Sequence, residues 1–247
     1  MNRPRNFVLV HGAWHGGWCW SRVRDQLQDR GHRVFTPTLT GLADRSHLLS
    51  IDITLDTHIA DVANVIDWED LNDVILVGHS YGGWVISGAA ERVLPRLASL
   101  VYVDAAFPDD GQSLVTDFGG AAFEERVRAI QGAGGIGMSG PSAAVMGIAD
   151  PDDQMWVDSK TTEHPIGTYL TTIELTGGRE RVARKTFVLA TGYEGGNIGR
   201  ETFRGTHDRL AQTSGWTVRQ IKSSHDIMID APHELVDILL EEAAQAA

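Results

Sequence analysis

The chain has 247 residues, 42% of them apolar and 22% charged, and its 21 Lys+Arg against 33 Asp+Glu give a formal net charge of −12. This is the balance of a globular protein, and the acidic excess argues against binding to nucleic acids or anionic membranes. Its one cysteine, Cys19, excludes an intramolecular disulfide and a CxxC metal or redox motif. The apolar run Phe7–Val10 is too short for a secretion signal or a membrane span, so we expect a cytoplasmic protein.

Short apolar runs alternate with segments of helical spacing along most of the chain. The predicted strands are, in chain order, Asn6–Val10, Arg33–Thr36, Asp73–Val77, Leu100–Val103, Thr186–Leu189 and Trp216–Ile221. The predicted helices are Gly16–Arg30, Leu55–Trp68, Ser80–Leu94 and Leu235–Glu242. Apolar strands that alternate with helices indicate a mostly parallel six-stranded sheet that is covered on both faces.

The stretch 107–184 breaks this regularity, with a glycine-rich segment at Gln131–Gly140 and only weakly amphipathic pieces. Because it follows the strand that ends at Asp104, we predict that it forms a small cap over the carboxyl ends of the strands. Ligands bind at that edge in open α/β sheets. The expectation is therefore one domain over residues 1–247, with a core of about 1–106 and 185–247 and a cap of about 107–184.

The segment Gly78-His79-Ser80-Tyr81-Gly82-Gly83 lies between a predicted strand and a predicted helix. That context is typical of a nucleophile elbow, in which a serine occupies a strained turn and glycines two positions away avoid collisions with neighbouring backbone. The alternative, a tight turn that merely needs glycine, is disfavoured because strand, motif and helix agree. Ser80 is therefore the candidate nucleophile.

A serine nucleophile needs a positioned base and donors for the oxyanion. His225 is the candidate base, because it follows the last predicted strand late in the chain; the alternative is a solvated loop histidine. The backbone N–H groups of Ala13 and Tyr81 are the candidate oxyanion donors, and Gly12 would let the backbone approach the substrate closely. His11, in the same loop, is expected to bond loop backbone rather than to act in catalysis.

Three segments carry a resemblance to the α/β-hydrolase superfamily, and more narrowly to plant methyl esterases, hydroxynitrile lyases and their bacterial esterase relatives. They are FVLVHGAWHGGWCW at Phe7–Trp20, GHSYGG at Gly78–Gly83 and FPDDGQS at Phe107–Ser113. The resemblance implies the α/β-hydrolase fold, and homodimers are common in such proteins. It also implies acyl-transfer chemistry without a cofactor or a metal. A dinucleotide or phosphate loop is not indicated, because no strand precedes the glycines at 132–137.

Some positions of this chain differ from the residues that mark individual members of that family, and these differences argue against some of the family's activities. The lyases are marked by a lysine immediately after the catalytic histidine, where this chain has Asp226, and Gly12 replaces a hydroxyl-bearing residue of the oxyanion loop. Cyanohydrin cleavage is therefore disfavoured. Haloalkane dehalogenases share the fold but need a carboxylate nucleophile, where this chain has Ser80.

The triad acid also departs from the plant relatives, which place an aspartate after the strand that corresponds to Thr186–Ala190. Tyr193 falls at about that position here, and Glu194 follows one step later. Asp104, at the end of the preceding strand, is the alternative, and other α/β-hydrolases supply the acid from that position. We predict Asp104, because a strand end holds a side chain more rigidly than a glycine-rich loop, with Glu194 in reserve. The alternative role for Asp104 is structural, as a carboxylate that caps a helix or loop.

These observations predict a serine hydrolase that cleaves a small-molecule carboxylic ester through an acyl-enzyme. A carbamate ester, lactone or amide would suit the same machinery, and a small-molecule receptor on a hydrolase fold is the alternative of another class. Trp156, Tyr169 and Met155 are candidates to line the substrate pocket, or else to pack the cap against the core.

Overall fold

Six parallel strands form the central sheet of the computed structural model, which describes residues 4–193 and 199–245. The strands of the whole described chain are β1 (Asn6–Val10), β2 (Arg33–Phe35), β3 (Val74–His79), β4 (Leu97–Val103), β5 (Gly137–Met138), β6 (His164–Pro165), β7 (Arg184–Ala190) and β8 (Trp216–Ile221). The spatial order of the large sheet is β2-β1-β3-β4-β7-β8, while β5 and β6 form a separate antiparallel pair. The prediction of a six-stranded parallel sheet is confirmed.

Helices connect the strands and cover the sheet. They are α1 (Ser21–Asp29), α2 (Leu55–Trp68), α3 (Gly82–Val93), α4 (Gly120–Gly132), α5 (Pro151–Asp158), α6 (Gly167–Leu170), α7 (Gly178–Arg181), α8 (Arg200–Ala211), α9 (Ile227–Asp230) and α10 (Pro232–Gln245). No helix in the described ranges is both long enough and apolar enough to cross a bilayer.

The two faces of the sheet carry separate apolar cores, because successive side chains of a strand point to opposite faces. In β1, Phe7 and Leu9 belong to the core that includes α1 and α10, whereas Val8 and Val10 belong to the core that includes α2 and α3. All four side chains are fully buried. This burial on both faces explains why the central strands are continuous apolar runs rather than alternating patterns.

The predicted element bounds agree closely where periodicity is strong. Leu55–Trp68 and Trp216–Ile221 match the structure end to end. The helix predicted from Ser80 begins instead at Gly82, because Ser80 has a φ of +51° and cannot belong to a right-handed helix. Helix α8 was not predicted.

The stretch between β4 and β7 contains helices α4 to α7 and the β5–β6 pair. Leu114, Met138 and Tyr169 of this stretch line one cavity together with Ser80, which follows β3. The stretch therefore lies over the carboxyl ends of the strands, on the side where the cap is predicted. The division of the chain into one core and one cap at residues 107 and 184 stays a prediction.

Candidate active site

Ser80 occupies a strained turn between β3 and α3. Its φ of +51° lies in the left-handed region, which costs a non-glycine residue roughly 1–3 kcal/mol. The glycines on either side have a steric role: a Cβ on Gly78 would lie 2.6 Å from the Gly82 carbonyl oxygen, and one on Gly82 would lie 2.8 Å from the Val10 carbonyl oxygen. The turn thus has the geometry expected of a nucleophile elbow.

Ser80, His225 and Asp104 form one hydrogen-bonded chain, although 145 positions separate the first two in sequence. The His225 Nδ1–H donates to Asp104 Oδ2 at 2.6 Å. Its Nε2 is then left to accept the Ser80 hydroxyl at 2.9 Å. This arrangement fixes one neutral tautomer of the imidazole, with the basic nitrogen facing the serine.

Asp104 is fully buried directly after β4, with a φ of +43°. Besides His225, its carboxylate accepts the Ala190 N–H at 3.0 Å and the Tyr193 hydroxyl at 3.0 Å. Three donors therefore hold this carboxylate in one orientation. Tyr193, which stands near the position of the plant acid, is here a hydrogen-bond donor to Asp104. The reserve candidate, Glu194, lies outside the described residues.

Backbone hydrogen bonds anchor this end of β4 to its two neighbours in the sheet. The Asp104 N–H donates to the Val188 carbonyl in β7 at 2.7 Å. On the other side, the Ala106 N–H donates to the Ser80 carbonyl at 3.0 Å. The nucleophile and the candidate acid are thus tied through the same short length of main chain.

Phe203 of α8 stacks on the His225 ring, with centroids 5.5 Å apart and an angle of 6° between the planes. Sequence reasoning missed this residue because it assigned no helix between β7 and β8. A signal was present: Phe203, Thr206, His207 and Leu210 have helical spacing, and all four are buried on one face of α8.

Ala13 and Tyr81, the predicted oxyanion donors, both line the cavity that contains Ser80. Gly12 does not belong to the described lining, and its contact with the substrate stays a prediction. The reason for glycine is a close approach to the nucleophile itself, since a Cβ on Gly12 would lie 2.9 Å from Ser80 Cβ. Gly12 therefore lets the Ala13 backbone reach the serine.

Tyr81 is held by a buried polar chain. Its hydroxyl donates to His58 Nδ1 at 2.9 Å, and the His58 Nε2–H donates to the Thr40 carbonyl at 2.8 Å. Burial lowers the pKa of His58 to about 4, so the ring is neutral at pH 7. These two hydrogen bonds fix the Tyr81 side chain and, with it, the start of α3.

His11 bonds loop backbone at both ring nitrogens. Nε2 accepts the Leu39 N–H at 3.0 Å, and the Nδ1–H donates to the Gly12 carbonyl at 2.8 Å. Burial lowers the pKa of His11 to about 3. A neutral ring that is bonded on both sides supports the loop structurally, as expected from the sequence.

The cavity beside Ser80 has a volume of about 450 Å³, the size of a small-molecule site. Its walls are mainly apolar and aromatic. The lining residues besides Ala13, Ser80 and Tyr81 are Trp14, Leu114, Phe123, Arg126, Met138, Ser139, Gly140, Pro141, Tyr169, Gly199 and Phe203.

Trp156 is not among this lining, and its contacts favour the alternative of a packing role, while a substrate contact stays a prediction. Its ring meets Trp18 edge-on at 5.1 Å, and the Arg22 guanidinium lies 5.2 Å from its centroid. These contacts place it on the face that carries α1, away from the α3 side. Met155 is 65% exposed and also lies outside the lining, whereas Tyr169 belongs to it.

Asp226, at the position where the lyases carry lysine, is fully buried and outside the described cavity lining. Its carboxylate lies 3.4 Å from His15 Nε2 and 3.7 Å from His79 Nε2. Burial alone would lower the pKa of His15, but the charge of Asp226 raises it overall. The same partners hold the pKa of Asp226 well below its ordinary value despite burial. Asp226 therefore lies near both His15 and His79, and the His79 ring contacts the His225 ring at a centroid distance of 4.6 Å.

Within residues 4–193 and 199–245, no group of three or more His, Cys, Asp or Glu side chains is arranged to hold a metal ion.

Relatives of known description share this chain's sequence over different lengths. A carbendazim hydrolyzing esterase of Nocardioides sp. (strain SG-4G) is 40% identical over 243 residues, which cover 95% of this chain and 98% of the relative. Methyl jasmonate esterase 1 of Vitis vinifera is 36% identical over 115 residues, or 46% of this chain and 44% of the relative.

Solved structures show the same fold. An extracellular alpha/beta-hydrolase from a Paenibacillus species superposes with a TM-score of 0.80 at 22% identity, covering 97% of this chain and 99% of that chain. A model of the alpha/beta hydrolase family matches residues 7–238. These findings confirm the predicted family and the prediction that the chain is an enzyme. By sequence and by fold, the chain belongs to the alpha/beta hydrolase family.

Proposed function

We propose that this chain is a serine esterase that hydrolyses a small-molecule carboxylic ester through an acyl-enzyme. The observation that carries the proposal is the hydrogen-bonded chain from Ser80 through His225 to Asp104 beside a mainly apolar cavity. Water activation by a metal is not needed in this scheme, because the serine supplies the nucleophile.

In the first half of the proposed reaction, Ser80 Oγ attacks the ester carbonyl carbon while His225 Nε2 takes its proton. The oxyanion accepts hydrogen bonds from the Ala13 and Tyr81 N–H groups. The imidazolium, stabilised by the Asp104 carboxylate, then protonates the leaving alcohol and the acyl-enzyme remains. In the second half His225 activates a water, which releases the acid and restores the serine.

A carbamate ester is the second candidate substrate. It is favoured by the relative described as a carbendazim hydrolyzing esterase, which this chain matches over 98% of the relative's length. The aromatic side chains of Trp14, Phe123 and Phe203 in the lining suit a flat ring system. Attack on a carbamate carbonyl would use the same residues in the same roles.

Multiple turnover of a chromogenic short-chain ester tests the proposed activity. We expect hydrolysis of 4-nitrophenyl acetate and butyrate, with kcat lowered at least about 10⁴-fold in Ser80→Ala because the nucleophile is lost. A fluorophosphonate probe should label wild type stoichiometrically and leave Ser80→Ala unlabelled. Methyl carbamates of aromatic amines, assayed alongside, compare the two substrate classes.

A receptor on the same fold would give another outcome. Tight binding of esters without multiple turnover would favour the receptor. A hydrolysis rate that survives Ser80→Ala would instead show that Ser80 is not the nucleophile. Either result would overturn the proposed esterase.

Release of cyanide from mandelonitrile is expected to stay at background. Asp226 replaces the lysine that marks the lyases, and its carboxylate is buried between His15 and His79, outside the described cavity lining. A cyanide-selective assay with and without enzyme checks this expectation. Cyanide release that disappears in His225→Ala would contradict it.

A further inference from the structure

Besides Ser139, the cap stretch contributes two large polar side chains to the cavity lining. Tyr169 of α6 and Arg126 of α4 both belong to the lining. Neither has a role in the acyl-transfer steps proposed above. Their surroundings indicate what they do bind.

Tyr169 is 3% exposed, and its buried hydroxyl has no hydrogen-bond partner among the described residues. The rings of Phe123 and His164 meet it edge-on at 5.8 Å and 5.2 Å, so its immediate surroundings are aromatic. A buried hydroxyl without a partner costs roughly 1–3 kcal/mol. A ligand acceptor in the cavity would remove that cost.

Arg126 is exposed, and no ion pair or hydrogen bond involves it within the part of the chain that the structure describes. Arg128, two positions further along α4, pairs with Glu124 at 2.7 Å. Arg126 and Tyr169 both line the cavity, so the guanidinium and the phenol border the same space. Burial raises the pKa of Tyr169, and the charge of Arg126 opposes that rise.

We propose that Arg126 and Tyr169 form a recognition subsite for a carboxylate that the ester substrate carries away from its scissile bond. This inference rests on the proposed esterase function and specifies its substrate class. A carboxylate accepts two hydrogen bonds at once, from a guanidinium and a phenol, and such charge-assisted bonds are the strong ones. The remaining aromatic lining would contact the body of the substrate.

The net charge of −12 makes this local cation the more important, because the protein as a whole repels anions. That repulsion is screened beyond about 8 Å at physiological ionic strength, whereas a contact with Arg126 acts at hydrogen-bond distance. Selection of an acidic ester would therefore occur inside the cavity and not during long-range approach.

Matched methyl benzoates test the subsite. The probes are methyl 4-methylbenzoate, methyl 4-carbamoylbenzoate and the methyl 3- and 4-carboxybenzoates, which keep the scissile bond constant and change one ring substituent. We expect the ratio of kcat/KM for the better carboxylate over the methyl probe to fall about tenfold in Arg126→Gln. In Tyr169→Phe we expect the carboxylate and the carbamoyl ratios to fall about fivefold, since both groups accept from the hydroxyl.

Arg128→Gln is the matched control, because it removes the same charge from the same helix outside the described lining. Its ratios should equal those of wild type. Equal ratios in wild type, Arg126→Gln and Arg128→Gln would overturn the subsite, as would a tenfold loss in both variants.

Binding to Ser80→Ala separates this inference from the esterase proposal. Calorimetry with the carboxylate and methyl probes needs no turnover, so it reports on the subsite even when no ester is hydrolysed. We expect the dissociation constant of the carboxylate probe to rise about tenfold when Arg126→Gln is added, and that of the methyl probe to stay constant. An unchanged carboxylate affinity would refute the subsite.

Discussion

Replacement of Asp104 by asparagine is expected to lower kcat by about 10³–10⁴-fold. An asparagine amide can donate to His225 Nδ1, which favours the imidazole tautomer whose proton faces Ser80 and so removes the base. It also removes the charge that stabilises the imidazolium. Initial rates with a chromogenic ester measure the loss, and near-ultraviolet circular dichroism checks that the variant is folded.

Glu194→Gln is the control for this experiment, since Glu194 was the other candidate acid. Its kcat should stay within a few-fold of wild type. A large loss in Glu194→Gln with near-normal activity in Asp104→Asn would move the acid to the loop after β7. The proposed roles of Ser80 and His225 would be unaffected by that outcome.

Acidification is expected to unfold this protein steeply below about pH 6. Four buried histidines have pKa values lowered by burial: His11 to about 3, His58 to about 4, and His79 and His164 well below the ordinary value. The folded state binds fewer protons than the unfolded state below pH 6.5, so protonation favours unfolding. Four protons alone correspond to a loss of about 5 kcal/mol per pH unit near pH 5. Asp117, whose pKa burial raises to about 6, binds a proton more readily in the folded state and offsets one of the four, which leaves about 4 kcal/mol per pH unit.

Urea unfolding at pH 7, 6 and 5 measures this slope. Typical domains have unfolding free energies of about 5–15 kcal/mol, so a loss of this size is decisive within one or two pH units. Asp226 raises the pKa of His15, so His15 opposes the acid loss and does not contribute to it. A free energy of unfolding that is flat between pH 6.5 and 5 would contradict the prediction.

His164→Phe offers a matched test, because both ring nitrogens of His164 are buried without a hydrogen-bond partner among the described residues. Phenylalanine keeps the edge-on contacts and removes one titrating group. The slope should fall by about 1.4 kcal/mol per pH unit. His47→Gln, at an exposed position, should leave the slope unchanged.

The sheet could be predicted from the sequence because its central strands are buried on both faces. Continuous apolar runs such as Val74–Val77 have few other interpretations in a chain of this composition. Helix α8 was harder to predict, because its mean composition is polar and its buried face rests on four side chains. Two of these four side chains, Thr206 and His207, are polar, so their helical spacing is a weak signal without the packing of α8 on β7 and β8.

In the candidate site, too, residues marked by a local pattern could be predicted and residues placed by distant contacts could not. Ser80 is marked by its own neighbours, since the elbow needs glycines at fixed offsets. His225 and Asp104 could be inferred because strand ends of a parallel sheet meet at one edge. Phe203 and Arg126 could not be inferred. Each lies on a helix whose position at the cavity depends on contacts with residues that are distant in sequence. For Trp156 the sequence left a pocket role and a packing role open, and the ring contacts Trp18 edge-on.

The main-chain bonds at Asp104 and Ala106 bear on how this molecule could change over time. The cap stretch begins directly after these two residues, and both are hydrogen-bonded to the sheet edge: Asp104 to Val188 and Ala106 to Ser80. The proposed subsite residues, Arg126 and Tyr169, consequently follow this anchored segment in the chain, whereas Ser80 and Asp104 precede it or belong to it. Substitutions in α4 or α6 can change which ligands bind while the geometry of Ser80, His225 and Asp104 stays the same. A few mutations can therefore change the substrate specificity.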